Sequence, residues 1–363
     1  MKSENNGSFS RAILCCLLVS LLAVISGCSL FNKSSEVSQT KHAGSSSHAE
    51  SRKEVKKEPE FETGTVTGLQ TLTILRVESG PKSVELMPGG RRLFVNDLYA
   101  RKNFIFDADK YNVLKVIPLP DEPVETDFSR DGRFAWVSLY NSSKVLVVDT
   151  EIGAVAGEVA TGSIPKEVAV SPDGNWVYVA NWNSNTVTVI DAKLRARVKD
   201  IPMTGTPRGI CFSPKGDFAY VCIMGGSTLT EVNVGAGHVV SRQISCGSNP
   251  RHVLTNREGN ILYVSNNGPG TVTLVDRAAG AVIATIKVGK QARTIALTPD
   301  ERYLFVCNYG EGTVGCVDLL ARAQIFKVPT SQPIGMVVSA RGDRLFVSNY
   351  TPPQVTVMRI ARQ

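Results

Sequence analysis

The chain has 363 residues, 42% of them hydrophobic, and carries 40 Lys and Arg against 33 Asp and Glu for a formal charge of +7. That is a globular composition with a basic lean, and it excludes a chain that is disordered throughout. Its 8 cysteines form no CxxC pair and no CxxCH haem site, which excludes c-type haem attachment.

Residues 1–27 have the form of a secretory signal. Lys2 and Arg11 precede the apolar run Ala12 to Ile25, which is short for a membrane span and ends in small residues. The segment Leu22-Ala23-Val24-Ile25-Ser26-Gly27-Cys28 resembles the bacterial lipobox. That resemblance implies that Cys28 becomes the lipid-modified N-terminus and holds the protein on a membrane, each buried CH₂ contributing roughly 0.8 kcal/mol. Ser29, in place of Asp, resembles signals sorted to an outer membrane. The expected location is therefore the bacterial cell envelope, lipid-anchored, facing the periplasm or the cell surface.

Residues 28–68 are expected to be a flexible tether, rich in Ser, Lys, Glu and Gly and poor in large apolar side chains. Its six basic residues (Lys33, Lys41, Arg52, Lys53, Lys56, Lys57) cancel six acidic ones (Glu36, Glu50, Glu54, Glu58, Glu60, Glu62). Most of the net positive charge therefore belongs to residues 69–363.

Those residues repeat. Ser171 to Ile201 holds a Pro172-Asp173-Gly174 turn, a β-branched and aromatic run, a polar turn and two further alternating runs, the pattern of short antiparallel strands. The centre of the second strand recurs as Val95, Val137, Val179, Val221, Val264, Val306 and Val347, at spacings of 41 to 43 residues. A fixed period of this size with four strands per unit predicts an all-β, seven-bladed β-propeller. Thr71 to Val77 matches the fourth strand of other blades, and Gln354 to Ile360 matches a third strand. The N-terminal strand is thus expected to complete the last blade and hide both edges.

The repeats resemble the YVTN-type β-propeller family. The signature Val177-Tyr178-Val179-Ala180-Asn181 is echoed at residues 262–266, 304–308 and 345–349, and the SPDG turn of 171–174 at 213–216 and 298–301. Residues 93–97, 135–139 and 219–223 lose the terminal Asn. The family includes surface-layer proteins, periplasmic nucleic-acid binders and relatives of lactonases and redox enzymes, so the resemblance implies fold rather than activity.

In such a propeller, the loop entering each first strand shares a face with the turn between second and third strands. Five of the seven first strands carry a basic residue at one repeated point: Lys82, Lys166, Arg208, Arg251 and Arg293. The second set of turns carries Tyr140, Trp182, Tyr309 and Tyr350. A ring of cations inside a partial ring of aromatics draws in anions and stacks on bases or sugars. The competing expectation is structural: the cations pair with Glu125 and Glu167, and the aromatics cover sheet ends. Asn181, Asn266, Asn308 and Asn349 are expected to bond their own backbone at left-handed turns. Asp107, Asp149, Asp191, Asp276 and Asp318 are expected to cap the opposite turns.

Enzyme chemistry has few candidates. His252, with Glu167, Arg208 and Arg251, could form the Arg/His/Glu set that propeller lactonases use at the channel mouth. No Ser–His–Asp signature, phosphate loop or paired metal ligands occur, and no cofactor is expected. Five body cysteines, Cys211, Cys222, Cys246, Cys307 and Cys316, suit small buried side chains, with a Cys211–Cys222 bridge left open. The sequence therefore favours a monomeric, membrane-tethered binding propeller. Its expected partner is an anionic polymer (single-stranded nucleic acid or glycan) or an envelope protein. The alternatives are a lactonase-like hydrolase and an assembly scaffold of an outer-membrane machine.

Overall fold

The computed structural model describes residues 60–363. The residues read as a signal, Cys28 and nearly all of those read as a tether lie outside the described residues. Those described form 28 strands in seven four-stranded antiparallel sheets: a seven-bladed β-propeller with no helix. Each blade runs outward from the axis as strands a, b, c and d, joined by tight turns.

The innermost strands are Pro81–Leu86, Pro123–Phe128, Pro165–Val170, Thr206–Phe212, Pro250–Thr255, Ala292–Leu297 and Pro333–Val338. The seven repeated valines, Val95 to Val347, sit at the centres of the b strands and are all 0% exposed. The core is correspondingly distributed. Apolar clusters bridge adjacent blades, as where Tyr178 and Val189 pack with Ile210 and Phe212 of the next sheet. The outer d strands are mostly exposed, and most bury an apolar residue near the end, such as Val159 or Ile201.

The ring is closed by the N-terminal strand. Val66–Arg76 pairs antiparallel with Gln354–Arg362, from Val66 opposite Arg362 to Arg76 opposite Gln354, and becomes the outer strand of the last blade. It begins at Val66, so the end of the segment read as tether is already in the sheet. Leu75 anchors it against Val84, Phe346 and Val355, joining the first blade to the last. Arg362 adds an ion pair to Asp300 at 2.8 Å.

The turns follow the repeat. Asp107 Oδ1 accepts the Asp109 and Lys110 amides, and Asp149, Asp191, Asp276 and Asp318 cap their turns likewise. The a–b turn needs left-handed backbone, which Gly174 supplies at φ 77°; where the repeat reads TPDE, Glu301 adopts φ 56° instead. The asparagines differ from expectation. None of the four is left-handed, and their side chains bond across the sheet: Asn181 and Asn266 donate to Thr188 and Thr273 of strand c. Strand c presents a Thr at hydrogen-bond reach of each buried amide nitrogen, while Oδ1 of Asn181 and of Asn266 is left without a partner. All five body cysteines are free, so there is no Cys211–Cys222 bridge; the residue opposite Cys211 is Tyr220.

Leu75→Asp should test the closure. A charge placed in that 3%-exposed position unzips the outer strand, so the melting temperature should fall and size-exclusion chromatography should show aggregates formed through the freed edge.

Candidate functional site at the axial channel

A shared backbone device shapes the axis. In every blade, the pairing of strands a and b shifts register immediately after the first residue of strand a or its proline: Pro81/Ser83, Pro123/Thr126, Pro165/Val168, Pro207/Ile210, Pro250/His252, Ala292/Ile295 and Pro333/Gly335. Such bulges break strict alternation and re-aim side chains. The bulge takes in the repeated position in every blade and its successor as well in four (Glu125, Glu167, Gly209 and Thr294), so that Lys166 and Glu167 both line the channel instead of pointing to opposite faces. The preceding residue adds a left-handed bend at Gly80, Ile164, Asn249, Gln291 and Gln332. At Ile164, a β-branched side chain at φ 53°, this is a strained conformation of the kind found at ligand clamps. Gly209 permits the closest approach of two inner strands; a Cβ there would meet Arg251 O at 2.7 Å.

The channel is layered. At the upper mouth stand Lys82, Lys166, Arg208, Arg251 and Arg293. All five converge: Arg208 acts electrostatically on each of the other four. Below them, Glu125 and Glu167 both bind Arg208, at 2.9 and 3.1 Å, and Lys82 Nζ lies 3.6 Å from Glu125. Thus the structural expectation holds for Arg208 and Lys82 only. Lys166, Arg251 and Arg293 have no carboxylate within ion-pair distance among the described residues.

Two of those three cations rest on aromatic rings. Lys166 Nζ is 3.8 Å from the Tyr140 ring centre and 5.8 Å from that of Trp182, and the Arg293 guanidinium is 3.5 Å from that of Tyr309. Tyr350 takes another role, its hydroxyl donating to Tyr99 at 2.7 Å. A cavity of about 240 Å³ opens here, walled by Tyr140, Ile164, Trp182 and Asn183 and floored by Lys82, Lys166, Arg208 and Arg251.

Burial and crowding set the protonation of this cluster. Desolvation and the neighbouring arginines lower Lys82 and Arg251 well below their usual ranges and bring Lys166 down to about 7. Glu125, despite its burial, is held below the usual carboxylate range by Lys82 and Arg208. Glu167, desolvated and repelled by Glu125, is pushed up to about 8. Glu125 is therefore the member of the carboxylate pair held ionised, while Glu167 keeps its proton and burial presses Lys82, Lys166 and Arg251 towards their neutral forms. His252 is held neutral, lowered to about 4 by burial, and its Nδ1 has no hydrogen-bond partner.

At the level of Glu125, Glu167 and His252 the free space shrinks to about 10 Å³, the room of a single water. A second cavity of about 480 Å³ opens on the other side, lined by apolar side chains such as Phe212 and Leu297 together with Glu85 and Asp127. Burial raises Glu85 well above the carboxylate range and Asp127 to about 6. Neither was a sequence candidate, although Glu85 follows Lys82 along one inner strand and Asp127 follows Glu125. Ile164 also went unread, because a β-branched residue gives no signal for left-handed backbone.

No family model and no curated protein matches this chain. Among solved structures it is similar to Kuenenia stuttgartiensis hydrazine synthase, with a TM-score of 0.72 and 23% identity, over 78% of this chain and 96% of that one. That likeness shows the propeller fold.

The carboxylate pair gives a pH prediction. An unfolded Glu releases its proton near pH 4.3, about four units before Glu167 does in the folded protein. Between those values the folded state binds more protons, so this group's stabilising contribution is present at low pH and lost as pH rises towards about 8. Glu167→Gln mimics the protonated form. Its melting temperature should therefore gain progressively on the wild type between roughly pH 5 and 8, read by parallel thermal melts.

Proposed function

We propose that the protein is a non-catalytic binding propeller of the bacterial cell envelope that recognises an anionic polymer, single-stranded nucleic acid or glycan, through its upper mouth. One observation carries this reading: three converging basic side chains, Lys166, Arg251 and Arg293, stand at the mouth with no carboxylate within ion-pair distance among the described residues. Burial and mutual repulsion press Lys166 and Arg251 towards their neutral forms, and an entering anion supplies the counter-charge that restores them. The aromatic walls, Tyr140 and Trp182, offer faces on which a base or a sugar stacks. The resemblance to YVTN-type propellers supports a binding role, and the lipobox-like segment ending at Cys28 supports tethering to a membrane.

His252 supports a second reading, a lactonase-like hydrolase. Its neutral imidazole, with a free Nδ1 beside Glu125, Arg208 and Arg251, has the protonation state of a general base. Loss of ester turnover in His252→Ala, with binding retained, would favour it; identical turnover in both proteins would exclude it.

The binding reading predicts salt-sensitive association with an oligothymidylate or a sulfated glycan, measured by fluorescence anisotropy. Arg251→Gln and Lys166→Gln should each flatten the slope of log K against log salt by about one unit per lost contact. Binding that ignores salt and both substitutions would reject it.

A further inference from the structure

We infer that the upper mouth takes the end of its ligand: a terminal phosphomonoester borne on a ring-bearing unit, either a nucleoside or a sugar. This rests on the anion-binding reading and narrows it to a substrate class.

The cup is closed below. Arg208, fastened to both Glu125 and Glu167, crosses the channel where the free space is about 10 Å³. A strand cannot thread past that plug, so whatever enters must stop there. The cup holds about 240 Å³, room for one small unit rather than a run of them.

Its polar groups suit a dianion with three free oxygens. Lys82 Nζ is buried and makes no hydrogen bond, its nearest carboxylate oxygen lying at 3.6 Å. Arg251 has no ion pair, and Lys166 is held only by ring faces. These three surround the cavity floor, beside Arg208. An internal phosphodiester carries one charge and two free oxygens, so it leaves part of this cluster unanswered. A terminal monoester carries close to two charges and presents three strong acceptors. The ring next to that phosphate then falls among Tyr140, Trp182 and the strained bend at Ile164, which wall the same cavity.

The test uses the full chain and four probes: a ten-nucleotide oligothymidylate with a 5′-phosphate, the same oligomer with a 5′-hydroxyl, and a hexose with and without a phosphate. The 5′-phosphorylated oligomer should bind at least tenfold more tightly than its hydroxyl counterpart, with inorganic phosphate as competitor. In Arg251→Gln and Lys166→Gln that preference should shrink to within about twofold. Circular dichroism should show both variants folded, with a melting temperature equal to or above the wild type, because an unbalanced buried cation has been removed. If the hexose phosphate shows the preference and the oligomer does not, the terminal unit is a sugar. If both oligomers bind equally and with salt sensitivity, the terminal inference falls while polymer binding stands. If no probe binds, both fall.

Discussion

The propeller depends on a pairing between the first and last of its described strands. Seven sheets arranged in a ring have no free edge only if the last sheet is finished, and the strand that finishes it, Val66–Arg76, is the first of the described strands in chain order. The blades themselves are nearly interchangeable, each with a buried valine at its centre and apolar clusters shared with its neighbours. What fixes their number and mutual tilt is closure. Closure in turn brings seven inner strands to one axis at fixed spacing, and only then does a repeated side chain become a ring.

The channel shows what such convergence costs electrostatically. Buried charges are tolerated when paired, and a lone one shifts its protonation or waits for a partner. In this channel the pairing is partial. Arg208 absorbs both glutamates, Lys82 shares one, and the remaining cations lean on aromatic rings or on nothing. Deeper in the channel, burial and the charge on Glu125 keep Glu167 protonated up to about pH 8, against the pull of Arg208 and Lys82. A structural network would be expected to neutralise itself. The upper mouth does not, and we take that imbalance as the mark of an anion receptor.

Much of this was legible in the sequence because repetition amplifies weak signals. A single Val-x-Val run says little, but seven at 41 to 43 residues specify blades, and one unmatched strand at each end specifies how they close. The basic residue after Pro165, Pro207 and Pro250 was visible for the same reason. What escaped reading arises between blades. The asparagines look like turn residues locally, yet Thr188 and Thr273, reached across the sheet, claim their amides. The partner of Arg208 is Glu125, two blades away, and no local pattern announces that distance. Seven bulges at one register position leave no compositional mark, since residues as different as Ile164 and Gln332 enter them.

The two blades without a basic residue flank the one bearing Lys82: Val124 on one side and Ile334 on the other, both nearly inaccessible. Lys82 stands alone across the opening from a contiguous arc running through Lys166, Arg208, Arg251 and Arg293. The opening is therefore polarised sideways as well as along its axis. A guest with one charged end and one greasy flank would settle in a single orientation, and moving that gap by one repeat would turn the guest by a seventh of a revolution.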